Sequence, residues 1–157
     1  FFDPVGKRLW LVHAKAAASA AAARQISVSA YEQVVSQARK NLRYLDPLVL
    51  AKELRARPNE LPRLWQNGVR VTAADHAAAR DSLCDALEAI TFYEERSMVV
   101  LQPHVRKQSW IDARGDLTAG NFTTKRVKSY RLLSALLADL QMTAQKMGIH
   151  LMVIGSD

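Results

Sequence analysis

Cysteine is almost missing from this chain of 157 residues, with Cys84 alone present. A lone thiol excludes an internal disulfide framework and any zinc site built on several cysteines. Glycine and proline are also scarce, at six and five residues. None of the glycines falls into the GxGxxG or GxxxxGK spacing that cradles phosphate groups. No run of 18 uncharged apolar residues occurs, so no membrane-spanning helix is expected. The histidines His13, His76, His104 and His150 form no HExxH and stand at no metal-ligand spacing to one another. Each is read as structural, no nucleophile elbow is present, and neither a cofactor, a metal nor a small-molecule ligand is expected.

Acidic residues are in deficit. Fifteen stand against 22 basic ones, which leaves a net charge of +7 and inclines the chain toward polyanions. The imbalance is uneven: residues 1–72 carry +7, residues 73–101 carry −4 and residues 102–157 carry +4. The rest of the composition, 49% apolar and 24% charged, is that of a globular protein. The length fits a single domain spanning residues 1–157. The first residue is Phe1 rather than Met, which reads as a processed or trimmed chain or a fragment. Residues 4–31 are rich in alanine and serine and carry Lys7, Arg8, Lys15 and Arg24 without an acid. Lys15 interrupts the apolar centre a targeting segment needs, so an ordered helix is expected there, in a cytoplasmic protein.

What is abundant is alanine and leucine, which favour helix. Residues 5–25 read as a first helix, apolar nearly all round and therefore buried between others or covered by a partner. Residues 29–45 give the cleanest amphipathic pattern, with Tyr31, Val34, Val35, Ala38, Leu42 and Leu45 on one face. Asp46-Pro47 reads as a cap followed by proline in the first turn of a helix over 47–57. A short helix over 59–65 is expected to stop at Asn67-Gly68. Thr72 and Asp75 match a capping box opening a long helix over 73–101. Residues 103–121 read as irregular, with one helical turn near Trp110. A last helix covers 123–147 with Gly148 as its C-cap. Residues 149–154 look strand-like, and a lone strand must pack with helices or pair with another chain. The expected fold is all-α, a bundle of four main helices plus short ones with a possible extended C-terminal segment.

On that helical reading Glu94, His76 and Arg80 fall in the apolar stripe of the long helix. A buried carboxylate must be paired or neutral, and an arginine partner is expected for Glu94. Asp81, Asp85 and Glu88 share one face and read as solvated rather than as a cation site. Cys84 lies among apolar positions as a small hydrophobe. The Arg114-Gly115-Asp116 tripeptide is attributed to chance.

Two basic clusters remain as contact chemistry: Arg39, Lys40 and Arg43, and Lys125, Arg126, Lys128 and Arg131. They point to a non-catalytic basic subunit of a nucleoprotein assembly. Such a subunit would grip the backbone of DNA or RNA and dock other protein subunits through Trp10, Leu11, Ile149, Leu151 and Val153. No recognition motif supports base reading. The alternative is a protein-interaction or scaffold module without a nucleic-acid role, docking through the first helix or the apolar C-terminal segment.

Overall fold

A computed structural model of the chain describes residues 1–15, 26–57 and 63–156. It corrects the all-α expectation, because a mixed four-stranded sheet in the order β1-β2-β5-β6 runs through the molecule. The elements are β1 (Phe2–Asp3), β2 (Arg8–Ala14), α1 (Val28–Asn41), a 3-10 turn (Leu42–Leu45), α2 (Pro47–Ala56), β3 (Trp65–Gln66) and β4 (Val69–Arg70). They continue with α3 (His76–Ala89), β5 (Glu95–Arg106), α4 (Lys107–Thr118), α5 (Lys125–Lys146) and β6 (His150–Ser156).

β2, β5 and β6 are parallel, and β1 adds an antiparallel edge. Parallel neighbours cannot be joined by a tight turn and need long crossovers, usually helical. Here α1, α2 and α3 lie in sequence between β2 and β5, and α4 and α5 between β5 and β6.

The β5 strand shows why the helical reading failed. In its centre Ser97, Met98, Val99 and Val100 are all buried, Met98 and Val100 in the core cluster with the helices and Ser97 and Val99 on the other face, between the residues of β2 and β6. Such a strand shows a continuous apolar run rather than alternation. Joined to the amphipathic α3 without a proline or glycine between them, it passes for the second half of one long helix. The expected helix over 73–101 is therefore α3 plus the first half of β5. Glu94 is exposed in the turn between them, so it is not a buried carboxylate. The expected first helix is also overturned in its described part: Leu9, Trp10, Leu11 and Val12 belong to β2 and pair with Arg96, Ser97, Met98 and Val99. Residues 16–25, the alanine-rich remainder of that expectation, lie outside the described residues. So does most of the helix expected over 59–65, whose last residue, Trp65, begins β3. The Asn67-Gly68 pair is the turn of the β3–β4 hairpin, with φ of 52° and 78°, the left-handed geometry two-residue hairpins require.

The C-terminal segment pairs within the chain. Leu151, Met152 and Val153 lie beside Met98, Val99 and Val100 of β5. The region read as irregular holds the second half of β5 and all of α4.

One face of the sheet forms the core. Leu9, Met98 and Val100 meet Val34, Val35 and Ala38 of α1 and Leu133, Leu140 and Ala144 of α5 in one buried cluster. Each large side chain buried there contributes roughly 1.5–3 kcal/mol. The opposite face carries Val12, Leu101, Met152 and Ile154, which remain 37–46% exposed. Its amino end is tied by Glu95, which accepts from the Trp10 indole Nε1 at 2.9 Å and from the Ser97 hydroxyl at 2.6 Å.

Three helix expectations hold. Asp46 caps α2 by accepting from the backbone N–H groups of Leu48 and Val49. The 29–45 pattern becomes α1 and its 3-10 extension, and Gly148, with φ of 65°, follows the end of α5. Among the described residues no helix is long and apolar enough to cross a membrane.

Candidate nucleic-acid interface

The geometry of α4 and α5 organises the basic residues. β5 ends at Arg106 and α4 begins at Lys107. Trp110 packs on Tyr130 with ring centroids 4.5 Å apart, and Arg126 donates from Nε to Asp116 at 2.8 Å. Residue 110 therefore lies beside 130 and residue 116 beside 126, so α4 doubles back along the first turns of α5. The loop between them turns at Gly120, φ 85°, and Thr124 caps α5 by accepting from the Val127 N–H at 3.2 Å.

α1 runs alongside α5. Tyr31 shares a pocket wall with Leu133 and Leu137, and Arg39 reaches Asp139 at 2.8 Å. The first turns of α5 and the paired α4 lie at the carboxyl end of the sheet, where β5 ends at Arg106.

This hairpin is strongly basic. Residues 107–131 hold six basic and two acidic residues, a net +4 out of the chain's +7. Lys107, Arg114, Lys125, Lys128 and Arg131 are exposed. Lys125, Lys128 and Arg131 have no acidic partner among the described residues. Arg126 differs: it is paired with Asp116 and, at 3.8 Å, with Asp112. It ties the two helices together and contributes less net field outward.

The second basic cluster is not continuous with the first. Arg39 is paired with Asp139, which lies 13 residues or about 20 Å down α5 from Arg126. Arg43 donates to the Tyr44 hydroxyl at 2.7 Å and stands over the Tyr44 ring. Lys40 is exposed. The two clusters thus sit at different levels of the helical layer, and the upper one has more unpaired charge.

The expected docking residues are also dispersed. Ile149 is buried, and Leu11 and Leu151 pack into the core cluster. Trp10 is half-buried on the other face and bonded to Glu95. Val153 is 39% exposed.

The sequence reading missed a pocket of about 460 Å³ at the root of the hairpin. It is lined by Tyr31 of α1, Val105 of β5, Lys107 and Trp110 of α4, Leu133 and Leu137 of α5, and residues 153–156 of β6. Carboxyl ends of parallel strands are where open α/β sheets hold ligands, a signal invisible while the fold was read as helical. Burial pushes the Tyr31 phenol up to about 12, so it stays protonated across the physiological range.

The acidic residues of α3 are accounted for inside the protein. Arg55 of α2 bridges to Asp85 at 2.7 Å and to Glu88. Asp81 pairs with Arg80 at 2.8 Å. No group of three or more metal-ligating side chains occurs among the described residues. No protein-family model, no curated protein and no solved structure matches the chain.

Proposed function

We propose that the protein is a non-catalytic module that holds a nucleic-acid strand by its phosphate backbone, with the α4–α5 hairpin as the contact. The observation that carries this reading is the concentration of net +4 on the 25 residues of this hairpin. Lys125, Lys128 and Arg131 lie exposed there without acidic partners among the described residues. Exposed, unneutralised cations attract a polyanion through counterion release, without base readout. Arg39, Lys40 and Arg43 supply a secondary contact further down the layer. The test is retention of DNA and of RNA oligonucleotides over a salt series. Affinity falls steeply with salt if phosphates are contacted, at roughly 0.7–0.9 in log–log slope per phosphate. Absent or salt-independent retention refutes the reading.

A second reading, docking of another protein subunit, is favoured by the half-exposed Val12, Leu101, Met152 and Ile154 on one sheet face. Parallel sheets are ordinarily covered on both faces. Substituting Val12 and Met152 with threonine leaves strand retention intact under the first reading and abolishes subunit capture under the second.

A further inference from the structure

We propose that the pocket at the root of the α4–α5 hairpin holds one nucleotide unit, a planar base against Trp110 with its phosphate at Lys107. The choice of ligand rests on the polyanion reading above; the pocket itself is an independent observation.

Its volume, about 460 Å³, lies within the range of pockets that bury small organic ligands, roughly 300–1,000 Å³. Val105, Leu133, Leu137, Val153 and Ile154 make the wall predominantly apolar, which suits a flat ring rather than a sugar alone. Trp110 is held in place by its packing on Tyr130, so it offers a fixed aromatic surface at little entropic cost. Every base has a π-face, and stacking on such a surface tolerates any sequence. Lys107, in the same lining, is exposed and has no acidic partner among the described residues. Lys107 stands three residues before Trp110, one turn of α4 away, which is within reach of a phosphate attached to a ring stacked on Trp110. Lys125, Lys128 and Arg131 lie exposed further along the same hairpin.

Gly155 shows that this corner is built tightly. A Cβ there would stand 2.6 Å from the Val105 carbonyl oxygen. Only glycine lets the end of β6 lie so close to β5, which fixes the floor of the pocket.

The same chemistry reaches the site from a free nucleotide or from a strand, and calorimetry of the full chain separates the two. The probes are adenosine and uridine 5′-monophosphates, adenosine without phosphate, ribose 5-phosphate without a ring, and a 12-mer single strand. Both monophosphates are expected to bind and ribose 5-phosphate is not. Trp110→Leu should weaken the monophosphates about tenfold, by loss of stacking. Leu137→Trp, which fills the pocket, should do the same if Trp110→Leu fails to fold. Lys107→Gln should weaken the monophosphates about threefold to tenfold and leave adenosine unchanged, because only the charge-assisted contact is lost. No monophosphate binding at millimolar concentration, or binding indifferent to Trp110→Leu and Leu137→Trp, overturns the proposal, even where the 12-mer is still retained with its salt slope. Monophosphate binding without 12-mer retention supports the pocket as a free-nucleotide site and overturns the hairpin reading alone.

Discussion

Two glycines give opposite expectations that depend only on where the chain has placed them. At Gly155 an added methyl would meet the Val105 backbone oxygen at 2.6 Å. A backbone atom cannot rotate aside as a side chain can, so Gly155→Ala must push the end of β6 away from β5. Overpacking of this kind costs about 1–3 kcal/mol. For a chain of this size that is a fall of roughly 2–12 °C in melting temperature. At Gly115, inside α4, nothing lies within 4 Å of the added methyl. Gly115→Ala should therefore stabilise by about 0.5–1 kcal/mol through restricted backbone entropy and better helix propensity. Urea titration of both variants beside the wild type measures the pair. The sequence pattern gives no reason to expect this gain, since residues 103–121 read as irregular. A destabilised Gly115→Ala would show that 107–118 is not helical. A neutral Gly155→Ala would show that β6 does not close on β5 at Val105, and the parallel sheet would lose its last stretch.

Acidification should weaken the fold in two steps. Burial holds the His13 imidazole below its ordinary value of 6.5, so the unfolded chain binds that proton more readily and stability falls as pH drops below 6.5. The Ser97 hydroxyl, then the Trp10 indole, hold the Glu95 carboxyl below its ordinary 4.5. Its contribution is present above 4.5 and is lost as pH falls through the lower folded value. Chemical denaturation from pH 8 to 3 should show both steps; His13→Gln removes the first and Glu95→Gln the second, and a profile unchanged in either variant contradicts the assignment. Cys84 is fully buried between α2 and α3, where its thiol donates to the Ala51 carbonyl at 3.6 Å, and burial pushes its pKa up. A disulfide reagent should label it only in denaturant, and rapid labelling of the native chain would contradict the α2–α3 contact.

The helices that the sequence reveals carry their own local instructions. The Asp46-Pro47 pair caps α2 through two backbone N–H groups, and the Tyr31–Leu45 stripe buries against the sheet as its spacing demands. β6 shows in the sequence as the strand-like stretch 149–154, but β2 and β5 could not be read in this way, because their identity is fixed by neighbours distant in sequence. Val99 and Val100 are β-branched, a local hint, yet the pairing of Leu11 with Met98 is what makes both segments extended. Trp10-Leu11-Val12 is likewise strand-favouring, but the alanines that follow drew the pattern toward a helix. The basic residues were visible as a cluster at 125–131; their separation from Arg39 and the pairing of Arg126 with Asp116 needed the fold. The pocket had no sequence signature at all, being assembled from α1, α4, α5 and two strand ends.

The salt dependence of strand retention, compared between the wild type and a Lys125→Gln, Lys128→Gln, Arg131→Gln variant, tests the hairpin as the contact surface most directly. Three lost phosphate contacts should lower the log–log slope by about 2–3. An Arg39→Gln, Lys40→Gln, Arg43→Gln variant should change it less, since Arg39 is already paired with Asp139. An unaltered slope in the hairpin variant, with the loss appearing in the other, would place the contact elsewhere and contradict the account.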